Sequence, residues 1–526
     1  MSESKTESKS KTESKSKTES KTKTESKSKT ESKSKTESKT KTKKSENNTK
    51  KKEKVITSRL TTQNKFKALF GRIDTTKDTR NKKIINYKSR TKKKRHSIIH
   101  KNRRLNYWKI ICPDTGECIA FGIETTRIRD FFEEFKNFHI VTNVKLISSS
   151  TVNGFIYEIK YEKQDFVAYT ILKKSKANTN RINIPDSIIY EYFVGTYINT
   201  KHMIYPCFLE TYGIYRSDGI QNLNVQNLTN MIPSTDFITN DQNIYHTLMD
   251  LACTNQTAEF SIVIQHIKRA KRLNDCLMDN QPQYNTEKIH FYEVELIFIL
   301  FQIYYTLSEL RDSFTHYDLH LENVLLYEPV KKSYIQYIYN VNGTEIRFKS
   351  KYIVKIIDYG RCFFKNENMS SDDIRDYICN IPGCNSGNQV CGNQLGFNSI
   401  TDNANFCIEH HICSNRKNIS HDLRLLHLLN NVFNDVNNHV AFDVFIIRNI
   451  IEKVVFTGQY GTPELTNSGL PQNIHNVTDA FTAILESIQT ATDLNELNNK
   501  YYENHTSLGN LHVYGGNKNS HFDKVK

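Results

Sequence analysis

HYDLHLEN, at residues 316–323, is the part of the sequence from which the predicted architecture follows. An apolar helical pattern over residues 289–314 precedes it, and the apolar run Val324–Leu326 follows it. A second segment, VKIIDYG at residues 354–360, ends a predicted strand with Asp358. Loops rich in Asp, His and Asn are usually turns, so we base the interpretation on the ordered set of helix, loop and two strands.

Asp318 and Asn323 lie five positions apart on one predicted loop, and Asp358 ends a separate strand. Phosphoryl transfer from a nucleotide needs a carboxylate that orients the attacking hydroxyl and accepts its proton. It also needs an amide oxygen and a second carboxylate that hold Mg²⁺ against the phosphates. We therefore predict Asp318 as the catalytic residue and Asn323 and Asp358 as metal ligands, with ATP and Mg as cofactors.

This pattern resembles the protein kinase superfamily, whose catalytic loop reads His-Arg-Asp, four residues and Asn, and whose magnesium motif reads Asp-Phe-Gly. The resemblance covers about residues 145–500. It implies an α+β, two-lobed fold, with a small β-rich lobe and a large helical lobe, and ATP-dependent transfer to protein Ser or Thr. The chain is similar above all to divergent kinase-like proteins of giant DNA viruses, judged by four segments: Ile171–Lys173, Tyr190–Tyr192, residues 316–320 and Ser420–Leu426.

The resemblance implies a lysine that pairs with the α- and β-phosphates, and two registers are open. In one register the lysine position is occupied by Thr170, and the protein would be an impaired kinase. In the other the lysine is Lys173, which lies 18 residues before Glu191 on the predicted helix at 185–200. We favour Lys173 because this separation is near the usual one in kinases. The alternative is that Lys173 and Lys174 merely end a strand in solvent.

Further nucleotide contacts are implied by the order of the predicted elements. Kinases cover the phosphates with a loop of three glycines, of which this chain keeps Gly154, with Ile156 in the apolar position after it. The strand over residues 260–265 would lead into a hinge whose backbone groups take the adenine edge. That hinge is formed by Gln265, His266 and Ile267.

Other positions of the loop depart from the kinase pattern or support it. Tyr317 replaces the usual Arg, so we do not expect control by phosphorylation of an activation segment. His320 stands where many protein kinases carry Lys, and loss of that charge would lower the rate or change the acceptor. We expect His316 to pack under the loop, and Asp422, at the start of a predicted helix, to bind the loop's backbone amides.

The charge is unevenly distributed along the 526 residues. Residues 1–105 contain 36 Lys and Arg against 11 Asp and Glu, a net charge of +25, whereas the remainder contains 37 against 46, a net charge of −9. We predict that this low-complexity tail is disordered, because it cannot bury enough apolar surface to offset chain entropy. It would bind nucleic acid or an acidic surface, accept phosphate on Ser and Thr, or act as a solubilising extension. The basic cluster Lys92–Arg95 is typical of a nuclear-localisation patch or of a patch that binds a phosphate backbone.

The chain has no signal core and no apolar run as long as a membrane span, so we predict an intracellular protein, in the host cytoplasm or the virion if it is viral. The 11 cysteines would then be reduced thiols. Six of them lie in residues 361–420, with His410 and His411 nearby. A zinc site in that segment is the alternative, although the spacing lacks a paired Cys-x-x-Cys.

Four parts of the chain are predicted. Residues 1–105 form the basic tail, 106–267 an N-terminal elaboration and the small nucleotide-binding lobe, 268–510 the large catalytic lobe, and 511–526 a frayed C-terminus. Three functions remain open: a Ser/Thr protein kinase, a pseudokinase scaffold with a degenerate glycine loop, and a basic-tailed protein that packages nucleic acid in a virion.

Overall fold

The computed structural model of this protein divides into two units, Met1–Arg95 and His96–Lys526. The residues that it describes all lie in the second unit: 123–151, 154–164, 166–175, 187–217, 220, 222–234, 248, 259–278, 286–380, 410–434, 445–465 and 472–524. The predicted basic tail at residues 1–105 therefore lies outside the described residues. The described part contains both helices and sheets, which confirms the mixed α and β content that the sequence predicts.

Six antiparallel strands form the first sheet, in the order β1-β2-β3-β6-β4-β5. Their bounds are Val141–Thr151 (β1), Gly154–Lys163 (β2), Phe166–Ser175 (β3), Thr211–Arg216 (β4), Ile232–Pro233 (β5) and Phe260–Gln265 (β6). In the middle of β3, buried and less buried side chains alternate. Alternate side chains of a strand point to opposite faces, so the two faces of this sheet meet different surroundings.

Different helices cover the two faces. Helix α1 (Ile123–Phe131) and the turn that follows it supply an apolar core on one face, which includes Val263 of β6. Its neighbour Ile262 belongs to the other core, together with residues of helix α2 (Ser187–Asn199). A Cβ atom on Gly195 of α2 would lie 2.2 Å from the Thr211 hydroxyl oxygen. Glycine at this position therefore lets α2 approach the sheet closely.

A long apolar helix, α5 (Thr286–Glu309), lies at the centre of the second core and includes a π-helical turn at Phe291–Glu295. Among the described residues it is the one helix whose length and hydropathy would suffice for a membrane span. However, 94% of its apolar window is buried inside the protein. The helix therefore packs as a core element, in agreement with the all-round apolar pattern of its sequence.

The same core joins α2 and α5 to later helices at Arg424–Asn434 and Val477–Thr490. The helices not yet named are α3 (Val225–Leu228), α4 (Leu273–Leu277), α6 (Ser371–Asn380), α7 (Arg424–Asn434), α8 (Phe445–Ile451), α9 (Val477–Thr490) and α10 (Thr492–Tyr501). Short strands lie between them: β7 (Lys271–Arg272), β8 (Phe314–Thr315), β9 (Val324–Tyr327), β12 (Ile353–Ile356) and β13 (Phe363–Phe364).

The C-terminal segment corrects the sequence analysis. Strands β10 (Ser333–Val341) and β11 (Thr344–Ser350) form the predicted hairpin, with positive φ angles at Asn342 and Gly343. The sequence predicts a frayed end over residues 511–526. Instead, β14 (Thr506–Val513) pairs in parallel with β10, and β15 (His521–Lys524) pairs with β14. Pairing places the Leu511 and Val513 side chains in the core, which gives this segment a reason to be ordered.

Candidate active site

Two loops lie side by side because the strands that flank them are paired. The loop at 316–323 connects β8 to β9, and the loop at 357–362 connects β12 to β13. Strand β8 pairs with β13, and β9 pairs with β12. The backbone N–H of Ile357 also donates to the carbonyl oxygen of Asn323 over 3.0 Å. The two motifs that the sequence analysis singled out therefore belong to one site.

Lys173 of β3 connects α2 to the second loop. Its Nζ lies 2.5 Å from Glu191 Oε1 and 3.5 Å from Asp358 Oδ1. Burial opposes the charge on the amine, but Glu191 and then Asp358 outweigh it and raise the pKa of Lys173 above its ordinary value. In turn the Lys173 ammonium is the largest cause of a lowered pKa at Asp358. Both groups are therefore charged at neutral pH.

The two candidate positions for the phosphate-pairing lysine, 170 and 173, lie on opposite faces of β3. Thr170 is fully buried, and its hydroxyl donates to the Tyr161 hydroxyl over 3.4 Å in the core beneath α1. Residues 170 and 173 are three apart, so their side chains point to opposite faces. The structure therefore brings Lys173 to Glu191 and leaves Thr170 in the other core. The alternative in which the Lys173 side chain ends in solvent does not hold, because only 21% of that side chain is exposed.

Tyr190, the neighbour of Glu191, holds α2 against the second loop. Its hydroxyl donates to the Cys362 carbonyl oxygen over 2.5 Å and lies 2.8 Å from the Ser371 hydroxyl. The hydrogen bond to Ser371 connects α2 to the first residue of α6. Since Tyr190 is fully buried, it fixes the position from which Glu191 reaches Lys173.

Asn323 and Asp358 offer oxygen atoms of the type that Mg²⁺ prefers. The Asn323 amide N–H donates to the Asp318 backbone carbonyl over 2.9 Å, which leaves the amide oxygen as the atom available to a cation. Asp358 is 46% exposed and adopts a φ of +69°, a conformation that Asp tolerates better than most residues. No group of three or more His, Cys, Asp or Glu among the described residues could hold a metal ion. A cation held by Asn323 and Asp358 would need further oxygen ligands from water or from a bound group.

The Asp318 loop is held from beneath by Asp422, as the sequence predicts. The backbone N–H groups of His316 and Tyr317 donate to the two Asp422 carboxyl oxygens over 2.8 and 3.0 Å. Tyr317 has a φ of +62°, so the backbone turns sharply there. Asp422 precedes helix α7, and it therefore ties that helix to the loop.

His316 packs under the loop and is not exposed. Burial lowers the pKa of His316 to about 4, although the Asp318 and Asp358 carboxylates act in the opposite direction. Its Nε2 lies 3.0 Å from the Ile357 carbonyl oxygen, and its Nδ1 lies 3.3 Å from the Asp318 backbone N–H. A neutral ring with the proton on Nε2 satisfies both contacts. His316 therefore positions the loop, and it does not titrate near neutral pH.

The free energy of unfolding should depend on pH through Asp422. Burial raises its pKa from 3.8 to about 7, although the two backbone donors act against this. Between these pH values the folded protein binds the proton and the unfolded chain does not, so the contribution of Asp422 to stability falls as the pH rises from 4 to 7. We expect Asp422→Asn to remove a slope of up to about 1.4 kcal/mol per pH unit, measured by chemical denaturation.

Asp312→Asn is the matched control for that measurement, because 72% of the Asp312 side chain is exposed. It should keep the wild-type slope over this pH range. Equal slopes for wild type and Asp422→Asn would show that Asp422 does not titrate there.

Two arginines that the sequence analysis did not single out contact Asp318. Arg424 Nη1 donates to Asp318 Oδ1 over 2.9 Å. Arg361 Nη1 lies 3.5 Å from the same oxygen, and His320 Nε2 lies 3.8 Å from it. The available signal was weak: Arg424 follows Asp422 by two positions, but no spacing links it to a residue 106 positions earlier. Burial lowers the pKa of His320, so the fixed positive charge comes from the arginines.

Gly154 and Ile156 lie on β2, directly beside β3. A Cβ atom on Gly154 would lie 1.9 Å from the Lys174 carbonyl oxygen, and its φ of +152° also favours glycine. The close approach of β2 to β3 therefore explains this glycine without a ligand. Ile156 is paired with Lys173, so their side chains share one face of the sheet.

The predicted hinge residues follow β6. The backbone N–H of Gln265 donates to the Glu210 carbonyl over 2.8 Å, so this donor is used within the protein. The His266 ring lies 2.9 Å from a Glu158 carboxyl oxygen, and the Ile267 carbonyl accepts from the Ala270 N–H over 3.3 Å. These contacts fix the segment, and its role in adenine binding stays a prediction.

The cysteine-containing segment is described only in part. Cys413 is disulfide-bonded, so the prediction of reduced thiols is wrong at this position. Cys362 and Cys207 are free thiols. Cys384, Cys391 and Cys407 lie outside the described residues, as does the Cys379 side chain. Within the described residues, no cluster suited to zinc is present.

No protein-family model matches the chain, and no curated protein matches it. Among solved structures, the chain is similar to a crystal structure of a kinase domain, with 15% identity, a TM-score of 0.22, and coverage of 44% of this chain and 54% of that chain. It is also similar to WaaP in complex with acyl carrier protein, with 8% identity, a TM-score of 0.23, and coverage of 47% and 72%. The chain thus spans about half the length of the kinase domain. These similarities are too low to assign a fold.

Proposed function

We propose that this protein is a kinase-like phosphotransferase that transfers a phosphoryl group from ATP, with Mg, to Ser or Thr of a protein. The observation that carries the proposal is the ion-pair network of Lys173, Glu191 and Asp358 beside the Asp318 loop. Phosphoryl transfer depends almost entirely on positioning and on charge neutralisation. A lysine held by a helix glutamate, next to a carboxylate and an amide oxygen, supplies both. In a two-lobed layout, the six-stranded sheet and α2 would form the small lobe.

Each side chain has a defined part in this proposal. ATP would supply the transferable phosphoryl group, and Mg²⁺ would supply two positive charges that compensate the negative charges of the phosphates. Lys173 would hold phosphate oxygens, and Glu191 would keep the ammonium in place. Asn323 and Asp358 would hold the cation, while the Asp318 carboxylate would orient the acceptor hydroxyl and accept its proton.

The adenine and the phosphates would lie against the face of the sheet that carries Ile156. Backbone groups of His266 and Ile267 would take the adenine edge, since the Gln265 N–H already donates to Glu210. Gly154 would lie at the start of the covering strand. Its neighbours at 152–153 lie outside the described residues.

A pseudokinase scaffold is the second candidate. The observation that favours it is Gly154, the one glycine kept from the phosphate-covering loop, whose conformation serves strand pairing. A scaffold would bind nucleotide or a partner and transfer nothing. The nucleic-acid and virion hypotheses for residues 1–105, and the intracellular location, remain predictions from the sequence.

Calorimetric titration of the full-length chain with ATP, with and without Mg, tests the proposal together with transfer of labelled phosphate to a mixture of Ser- and Thr-containing proteins. We expect Asp358→Asn to weaken the Mg-dependent part of binding by at least roughly 10-fold and to remove transfer. Asp312→Asn, an exposed carboxyl that pairs with Lys417, is the matched control and should behave as wild type.

Two outcomes would count against the enzyme. Nucleotide binding by the wild type without transfer to itself or to any acceptor would favour the scaffold. No Mg-dependent binding of ATP by the wild type would contradict the proposed function altogether.

A further inference from the structure

We infer that Arg424, assisted by Arg361, binds the phosphoryl group while it is transferred and holds Asp318 in position for that step. The inference rests on the proposed function. Both guanidinium groups lie near Asp318 Oδ1, at 2.9 and 3.5 Å. The two arginines belong to different segments and meet at the carboxylate that would orient the acceptor hydroxyl.

Two guanidinium groups, which are always protonated, face one oxygen of Asp318. Arg361 also lies close enough to Asp358 to help lower the pKa of that carboxyl. Both positive charges lie where an acceptor hydroxyl must be when Asp318 orients it. A phosphoryl group that reaches this hydroxyl would therefore come within reach of both arginines, whose planar donors suit phosphate oxygens.

Arg424 lies at a position in its helix that disfavours a cation, and its charge faces the Asp318 carboxylate. It is the first residue of α7, where the helix dipole disfavours a cation. The side chain is only 14% exposed, and among the described residues its Nε has no hydrogen-bond partner. A desolvated donor without a partner costs free energy. This cost is offset if phosphate oxygens complete the hydrogen bonds of the guanidinium during the reaction.

His320 does not supply the charge that its position in the loop would suggest. Its Nε2 lies 3.8 Å from Asp318 Oδ1, and burial lowers the pKa of the ring. The neutral ring adds little attraction for a phosphoryl group at neutral pH. In this protein the fixed charge therefore comes from Arg361 and from Arg424, which lies two positions after Asp422, the residue whose carboxyl accepts from the loop backbone.

The step itself balances without any change at the arginines. A bond forms between the acceptor oxygen and the transferred phosphorus, and the bond from that phosphorus to the nucleotide's bridging oxygen breaks. The acceptor proton passes to the Asp318 carboxylate. Arg424 and Arg361 keep their protons and hold the equatorial phosphoryl oxygens, whose charge is greatest during transfer.

Steady-state transfer of labelled phosphate from ATP by the full-length chain tests this role in Arg424→Gln and Arg424→Lys. We expect Arg424→Gln to lower kcat at least roughly 100-fold while KM for ATP stays within about twofold. Arg424→Lys should retain an intermediate kcat, since it keeps the charge but loses the planar donors. Arg416→Gln removes an exposed arginine eight positions earlier and should match wild type.

A second measurement separates this role from a structural one. Guanidinium chloride at a concentration that does not denature the protein should raise the kcat of Arg424→Ala roughly tenfold, whereas sodium chloride at equal ionic strength should not. Binding of ATP with Mg and the thermal unfolding midpoint should stay near wild type in Arg424→Gln.

Three results would overturn the inference. Transfer by Arg424→Gln at the wild-type rate would show that Arg424 takes no part, and faster transfer would show that it inhibits Asp318. Joint loss of nucleotide binding, stability and transfer, without rescue by guanidinium, would assign Arg424 a structural role. If the wild type binds no nucleotide, the inference falls with the proposed function, and that outcome is visible in the wild-type arm alone.

Discussion

Asp318→Asn should lower kcat for phosphoryl transfer by roughly 10²–10⁴-fold while binding of ATP with Mg changes little. An amide cannot accept the proton of the acceptor hydroxyl. It also fails to neutralise Arg424 and Arg361, which lie 2.9 and 3.5 Å from the carboxylate oxygen in the wild type. Because Asp318 lies outside the Lys173 network, the loss should appear in kcat and not in KM for ATP. Single-turnover transfer of labelled phosphate measures it directly.

Asp312→Asn provides the comparison for this loss. Asp312 lies near the same strand β8, but its side chain is 72% exposed and pairs with Lys417 at 2.9 Å. An exposed pair of this kind contributes little to stability, so the variant should transfer phosphate at the wild-type rate. Transfer by Asp318→Asn at an undiminished rate would mean that another group activates the hydroxyl, and the assignment of Asp318 would be wrong.

Lys173→Met should abolish measurable transfer, with a fall of at least roughly 10²-fold. The substitution removes the cation that lies 2.5 Å from Glu191 and 3.5 Å from Asp358, and it leaves two carboxylates facing each other. Since the Lys173 ammonium is the main cause of the lowered pKa at Asp358, that pKa should rise in the variant. Mg-dependent nucleotide binding should then require a higher pH than in the wild type. Titration of binding against pH measures both effects.

Two neighbours in β3 serve as controls for Lys173→Met. Thr170→Val preserves shape in the buried core near Tyr161 and should keep transfer close to wild type. Lys174→Met breaks the buried pair of Lys174 with Glu259, so it should lower the free energy of unfolding by about 3–5 kcal/mol without a specific effect on kcat in the folded fraction. Loss of transfer in Thr170→Val but not in Lys173→Met would reverse the register.

The resemblance of the short motifs, and of their order, to the kinase pattern predicted most of the side chains that meet in the site. Asp318, Asn323 and Asp358 lie on loops whose spacing is set along the chain, and Lys173 and Glu191 lie on a strand and a helix with clear patterns. The separations within each loop are local and can be read from a sequence. The meeting of the separate segments, and the role of Asp422, were implied by the resemblance of the motifs to the kinase pattern.

Other features could not be predicted because they depend on contacts between distant segments. The pairing of β14 with β10 joins residues 506–513 to residues 333–339, and no local pattern in the C-terminal segment reveals that partner. The glycine at 154 looked like a remnant of a phosphate loop. In the structure its close approach to the Lys174 carbonyl accounts for it.

The sequence by itself determined the chemical groups of the site and their order along the chain, because residues a few positions apart on one loop, such as Asp318 and Asn323, stay close in any fold. Tertiary structure alone decided that Lys173, and not Thr170, faces Glu191, since strand pairing sets which face of β3 meets α2. It alone placed Arg424 and Arg361 at Asp318. The electrostatic surroundings of a carboxylate depend on which segments cross near it, and that crossing follows from packing of the whole chain.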